Sequence, residues 1–395
     1  MATSARAEGV TPEWRASAFH FSVYGSAGVG AAYFAIWLSD RGIPADQIGI
    51  INAAPVLLLL LGSMLIGRLA DRASDWRVAI LILSLISGLA SIGFLFVNEF
   101  WGAMLVFALC STPSAALVPI LDAATLRMTR RRGSDFGAIR GWGTLGYMLT
   151  TAGTGALIGW LGGVVFVPLF IALSLMRAGL AFQLPRFRAS EPAVAAPVRA
   201  PGGASLASLM RPWFLLPCIA YALVQSTHFL VGTMGALVWK LDGIGDGWFG
   251  PLIGISAATE AVTMFLWRRI GPRMTARTML MIGAAVAALR WFGMAFSPSL
   301  PVLFALQALH AVTLPFTYFG IMYFIGNWAP EEIAAESQSF ASALAQGAQV
   351  LTLLLFGWLV GIMGGQAFFV ASGLSALAVV AVWASLRLRP AHAAV

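Results

Sequence analysis

Apolar residues run along this chain in blocks of about twenty, parted by short polar breaks, from near the first residue to near the last. A helix needs about 20 such residues to cross the hydrocarbon of a bilayer. The blocks predict twelve spanning helices, at roughly 15–38, 46–67, 77–97, 101–124, 137–160, 163–184, 212–238, 247–268, 277–297, 301–325, 337–361 and 364–386. The breaks carry turn or charge signals, such as Asp40-Arg41-Gly42-Ile43-Pro44, Ser297-Pro298-Ser299 and Asn327 to Glu332. The faintest break is 160–164, where Gly162-Gly163 must turn the chain almost without a polar residue. The longest non-apolar stretch, 185–211, is rich in Pro, Ala and Arg and has no helical period. It reads as a flexible cytoplasmic linker between two six-helix bundles, 1–184 and 212–395.

Composition agrees with the pattern. The chain of 395 residues is 59% hydrophobic and only 10% charged, against about half and a quarter in soluble domains. An all-α integral membrane protein is expected, with little room for a soluble domain. The first fifteen residues are polar and the apolar run after them is too long for a signal-peptide core, so the first span is expected to act as its own targeting signal. The net charge of +8 could point to nucleic acid, but the arginines argue otherwise. They cluster in the N-terminus, in the loops after even-numbered spans and in the C-terminus, whereas the other loops hold only Arg41 and Lys240. That asymmetry places both termini in the cytoplasm and assigns the basic balance to anionic lipid. Trp14, Trp101, Trp239, Trp248 and Trp328 fall near span ends, where aromatic belts form. Cys110 and Cys218 lie in apolar runs and are expected as free thiols. No nucleotide-binding glycine loop, His-Glu-x-x-His or cysteine cluster occurs. No enzyme chemistry, cofactor or metal is expected.

The residues that break the apolar pattern are the informative ones. Asp122, Arg177, His228, Glu260, Arg290 and His310 lie inside predicted spans. A charge in hydrocarbon costs a few kcal/mol or more, and such residues usually face inward and are used. Asp122 precedes Arg127 by five residues and Arg140 follows Arg132 by eight. At about 1.5 Å per residue both sit about 7–12 Å inside the inner boundary. They can form a structural clamp or act on a substrate or gate. Arg290 and His310 lie about 10–14 Å from the outer boundary on helices joined by a short turn, and can face one another. Arg290 offers a planar fork for a carboxylate, or else snorkels to the outer headgroups. His310 can bind or release a proton, or only make an interhelical hydrogen bond through Gln307 or Tyr318. Glu260 is near mid-depth and is the first candidate to couple a proton; the alternative is a permanent ion pair with Arg290 or His228. His20, Tyr24, Tyr33, Gln225, His228, Tyr318 and Tyr323 are possible lining groups or interhelical hydrogen-bond partners. Arg177 has no evident partner in the sequence and is expected to reach the inner headgroups.

The loop after the second span reads Gly67-Arg68-Leu69-Ala70-Asp71-Arg72, followed by Arg77. It resembles the signature loop of the major facilitator superfamily, although Asp75 and Trp76 replace part of the usual tail. Arg268-Arg269-Ile270-Gly271-Pro272-Arg273 is similar to a degenerate second copy. The segment Asp135 to Gly146 resembles the opening of span five in lactose-permease-like, nucleoside-proton and phenylpropionate-permease-like symporters. Tyr33-Phe34-x-x-Trp37-Leu38, Leu289-Arg290-Trp291 and Leu306-Gln307-x-Leu309-His310-Ala311 look most like the phenylpropionate-permease group. The resemblance implies a carboxylate–arginine pair at Asp122 and Arg140, and proton and substrate machinery at Glu260, Arg290 and His310. One departure is that the second carboxylate of the sugar permeases, a turn after the histidine, is Thr313 here.

The resulting expectation is a secondary carrier of the bacterial inner membrane, working as a monomer by alternating access. It takes a small organic solute between its halves, an aromatic acid, sugar or nucleoside-like compound, together with a proton. Tyr24, Tyr33, Asp122, Arg140, Gln225, His228, Arg290, Gln307 and His310 are the candidate solute contacts. Glu260, His310 and Asp122 are the candidates for proton coupling, and Gly67, Asp71, Arg72 and Arg77 for the gating loop. A proton-coupled efflux antiporter and a non-transporting receptor or assembly protein are the competing readings. Sidedness of uptake would separate the first and loss of alternating access the second.

Overall fold

Residues 10–187, 210–329 and 331–388 are described by a computed structural model. The side chains of a few helical residues, including Gly67 and Asp71, fall outside the described ones, as does 188–209 of the expected linker. Every regular element among the described residues is helical. The first helices are α1 (Pro12–Ser39), α2 (Ala45–Arg72), α3 (Trp76–Ala90), α4 (Phe100–Arg132), α5 (Phe136–Leu161) and α6 (Phe166–Ala181). Then α7 (Pro212–Leu230) runs through a π turn at Val231–Gly235 into the short α8 (Ala236–Leu241). The rest are α9 (Phe249–Ile270), α10 (Ala276–Met294), α11 (Leu300–Ala308), α12 (His310–Trp328), α13 (Glu331–Met363) and α14 (Phe368–Arg387).

The polar breaks act as caps. Asp75, Glu99, Asp135 and Thr275 precede α3, α4, α5 and α10, and their side chains accept from backbone N–H groups of the first turn. This satisfies donors that a helix start leaves unpaired. The weakly signalled join after α5 is made by Gly162, whose φ of 81° is a conformation a residue with a Cβ adopts only under strain.

Among the described residues, nine stretches are long and apolar enough to cross a membrane. The longest, Glu336–Arg387, covers most of α13 and all of α14. Large apolar side chains such as Leu61, Leu105, Trp160, Phe265 and Leu351 stand exposed. In water that surface would drive aggregation; against acyl chains it is matched.

The described residues group into two compact units, drawn from the ranges 1–34 with 61–193, and 35–60 with 194–395. The last turn of α1 and the first turns of α2 therefore belong to the second unit. In the first unit, α3 packs on α4 and α6, and Phe19, Val23, Trp76, Ile80, Leu117 and Leu121 share one core. In the second, α10 packs on α12 and α14, and α7 on α13 and α14.

Two expectations are corrected here. Arg177 does not reach the headgroups: it is 2% exposed. Its guanidinium donates to Ser26 Oγ on α1 (2.8 Å), Ser114 Oγ on α4 (2.6 Å) and Ser87 Oγ on α3 (2.5 Å). Three hydroxyls inside the unit satisfy most of its donors at shorter reach than the bilayer surface. Trp239 is likewise not part of an interfacial belt: it is buried, with its ring 6.2 Å from that of Phe249.

Candidate functional site

Apart from Arg177 and its serines, the titratable residues singled out inside the helices gather into two clusters, one in each unit. The second unit holds the larger. Glu260 comes from α9, Arg290 from α10, Gln307 from α11, His310 and Thr313 from α12, and His228 from α7. A break at Leu309 separates α11 from α12, so that Gln307 and His310 both reach Arg290. Arg290 donates to His310 Nδ1 at 2.9 Å, to Thr313 Oγ1 at 3.4 Å and to Gln307 Oε1. His310 Nε2 stands 3.2 Å from Glu260 Oε2. Ser256 Oγ also donates to Gln307 Oε1 at 3.1 Å. Arg290 is 1% exposed, which rules out the snorkelling alternative. Its guanidinium lies 4.5 Å from the Trp291 ring centre, and Trp291 is itself fixed by its Nε1 donating to Thr227 Oγ1 at 3.0 Å.

Donor chemistry gives this cluster a direction. A guanidinium only donates, so His310 Nδ1 must accept and carries no proton. The neutral ring then holds its proton on Nε2, facing the Glu260 carboxylate. A second proton cannot enter at Nδ1 until Arg290 withdraws. Protonation around His310 and the seating of Arg290 are thus mutually exclusive at one atom.

His228 extends the chain. Its Nδ1 donates to the Val224 carbonyl at 2.8 Å, so Nε2 accepts from Thr313 Oγ1 at 2.7 Å. Thr313 therefore donates to His228 while receiving Arg290. The threonine that stands where a second carboxylate was absent is the post that steadies the arginine. Thr313→Val is expected to leave His228 Nε2 without a donor and to destabilise the protein by about 1 kcal/mol. A lowered unfolding midpoint in detergent would register it; an unchanged midpoint would refute the bridge.

The first unit holds a smaller cluster. Asp122 Oδ1 on α4 lies 3.5 Å from Arg140 Nε on α5 and 4.0 Å from His20 Nδ1 on α1. Arg140 also sits 4.1 Å from the Tyr24 ring centre. The Asp122 and Arg140 side chains are about a third exposed (34% and 32%), whereas His20 is fully buried. Arg140 is thus a guanidinium held on one side by a carboxylate and a ring, with part of its surface exposed. The face of α5 that admits α1 is built from glycine. A Cβ on Gly146 would lie 2.3 Å from the Phe21 carbonyl oxygen. Gly146→Ala is expected to push the two helices apart at a cost of about 1–3 kcal/mol, and to cut the yield of folded protein in size-exclusion profiles. Wild-type yield would contradict that crossing.

The remaining candidates are placed as follows. Tyr33 is buried on α1, nine residues and about 13 Å along the helix from Tyr24, and so is not part of that cluster. Gln225 lies one turn before His228 on α7, and its Oε1 is buried without a hydrogen bond. Tyr318 is exposed, and Tyr323 Oη accepts from Trp267 Nε1 at 3.0 Å. At the end of α2, Arg72 is exposed, and in the first turn of α3 Arg77 donates to the Phe182 carbonyl at 2.7 Å. Gly67 and Asp71 lie on the last turns of α2 with side chains outside the described ones. Asp75 also ties this region to the segment after α6, accepting from Phe187 N at 3.0 Å. Among the described residues no group of three or more His, Cys, Asp or Glu could hold a metal, and Cys110 and Cys218 are free and buried.

The hydroxyl partners in these clusters carry no charge to mark them in the sequence. Ser256 lies four residues before Glu260, Thr313 three after His310 and Thr125 three after Asp122. Residues three or four apart share a helix face, so a hydroxyl one turn from a membrane-embedded titratable group was the available signal.

Residues 13–372 match the model of the MFS_1 like family. A probable 3-phenylpropionic acid transporter of Escherichia coli (strain K12) is 28% identical over 369 residues, covering 89% of this chain and 92% of that protein. A maltose permease of Geobacillus stearothermophilus is 24% identical, covering 88% of this chain and 85% of that protein. The crystal structure of the nucleoside transporter NupG superposes with a TM-score of 0.79 at 15% identity, covering 96% of this chain and all of that one. At that identity the structural likeness carries the fold alone.

Proposed function

The chain belongs to the MFS_1 like family and is a non-enzymatic membrane transporter of the major facilitator type, and from that premise we propose that it imports a small carboxylate, of the aromatic-acid class, together with a proton. The observation that carries the proton is the Arg290–His310–Glu260 chain, in which a guanidinium and a proton compete for His310 Nδ1. Glu260 is the entry point, since its side chain keeps 25% of its surface exposed. A proton arriving there neutralises the carboxylate, loosens its hold on His310 and lets Arg290 and the imidazole exchange partners. In this cluster both terminal nitrogens of Arg290 are engaged, by Gln307, His310 and Thr313, so Arg290 acts as a positioning group. The solute carboxylate falls to Arg140, with Tyr24 beneath it. The aromatic-acid class follows from that exposed guanidinium and from the name of the phenylpropionic acid relative; the maltose permease supplies the sugar alternative.

Twelve crossings with both termini in the cytoplasm complete the proposal. To the nine stretches, α5 and α10 add two helices of 26 and 19 residues, and the stretch joining α13 and α14 divides at Gly364–Ala367. Bundles 1–184 and 212–395, joined by 185–211, would alternate their exposure in a bacterial inner membrane. The reading predicts that proteoliposomes with an alkaline interior accumulate labelled 3-phenylpropionate and that a protonophore abolishes the accumulation. Accumulation indifferent to the protonophore would end the symport reading, and preference for maltose or a nucleoside would end the aromatic-acid assignment.

A further inference from the structure

Two buried polar atoms in the first unit face each other with no hydrogen-bond partner. His20 Nδ1 and Asp122 Oδ1 stand 4.0 Å apart, and neither makes a hydrogen bond. The other ring nitrogen of His20 is engaged, with Thr125 Oγ1 at 3.2 Å. Asp122 Oδ1 lies 3.5 Å from Arg140 Nε, an ion-pair separation that makes no hydrogen bond. One carboxylate oxygen therefore stands between a guanidinium N–H and an imidazole nitrogen and is hydrogen-bonded to neither. A side-chain shift of about 1 Å would bring it within hydrogen-bond range of the imidazole.

We infer that His20 and Asp122 form a second proton-binding site, which loads when an anionic group on the solute takes over Arg140. The inference rests on the reading of Arg140 as the anchor for a carboxylate. While Arg140 faces Asp122, its charge opposes a second positive charge on the ring nearby. An anion seated on Arg140 cancels that charge and releases Asp122, which turns toward His20 Nδ1. A proton from water reaches the carboxylate, the exposed member of the pair, and is shared with the buried ring. When the anion leaves, Arg140 recovers Asp122 and the proton returns to water. Among the described residues, the titratable or charged groups around the pair are Tyr24 on α1 and Arg140 on α5. The core against which α1 and α4 pack contributes apolar side chains from α2, α3 and α6, namely Ala70, Trp76, Ile80 and Ala181. The protein would then carry one proton-linked site in each unit.

The test needs no solute. Full-length protein carrying ¹⁵N-labelled histidine is titrated in lipid nanodiscs as wild type, as Arg140→Gln, and as Arg140→Gln combined with His20→Gln. Removing the guanidinium stands in for its neutralisation by an anion. The expected result is an upward shift of at least about one pH unit in the titration of one histidine signal in Arg140→Gln, and loss of that signal in the double variant. If Arg140→Gln does not fold, Arg140→Met removes the same charge. A His20 signal that titrates identically in wild type and in either Arg140 variant overturns the proposal. The outcome is independent of whether Glu260 couples transport, so failure of the symport reading and failure of this site are separable.

Discussion

Glu260→Gln is expected to abolish accumulation against a gradient while sparing downhill exchange. A gradient of one pH unit is worth about 1.4 kcal/mol per proton, enough to hold a solute at about tenfold excess in one-to-one symport. Gln keeps the size of the side chain and can still accept from His310 Nε2, but it cannot gain or lose a proton. The accumulation ratio should fall from about ten to one under an imposed gradient. Counterflow, in which labelled solute outside exchanges with unlabelled solute inside, should persist, because the cluster around Arg290 can stay seated. The comparison is made in proteoliposomes with 3-phenylpropionate on both sides. An undiminished ratio in the variant would remove Glu260 from coupling, and loss of counterflow as well would mean that the carboxylate serves binding instead.

Arg140→Gln is expected to raise the apparent KM for 3-phenylpropionate about a hundredfold. Charge-assisted hydrogen bonds contribute about 1.5–3 kcal/mol each, and a guanidinium offers a carboxylate two in parallel. Losing about 3 kcal/mol gives that factor. Arg140→Lys keeps the charge but loses the fork, and should fall in between. A neutral analogue, 3-phenylpropanamide, provides the control. It should compete weakly in the wild type and about as well as the acid in Arg140→Gln. Equal KM values for wild type and variant would take the solute away from Arg140 and leave the Asp122 pair as a structural clamp.

The two clusters were unequally legible in the sequence. Asp122 and Arg140 were paired by their depth on consecutive helices, and the structure sets them 3.5 Å apart. Arg290 and His310 were set face to face across a short turn, and they meet at 2.9 Å. For an ion-pair partner of Glu260 the sequence offers Arg290 or His228; in the structure it is His310. Depth along a helix axis can be counted from sequence, but rotation about that axis is fixed by packing, and rotation decides which neighbour a side chain meets. Arg177 failed for the same reason. Its three serines come from three different helices, and no spacing along one helix could name them.

The one-dimensional pattern was sufficient for the solvent problem. Blocks of about twenty apolar residues leave the backbone no option in lipid but to satisfy itself as helix, and the caps at Asp75, Glu99 and Asp135 are readable as the residues before each block. The sequence by itself thus determined a helical membrane chain, its principal breaks and the short roll of polar residues that hydrocarbon would not tolerate unused. Only the tertiary structure decided that Glu260 meets His310, that Thr313 bridges His228 to Arg290, that both terminal nitrogens of Arg290 are engaged, and that an orphaned oxygen of Asp122 stands between Arg140 and His20. The physical reason is range. Burial in lipid is a property of each segment, whereas a hydrogen bond is set by distances of about 3 Å between helices remote in sequence, which no local pattern encodes.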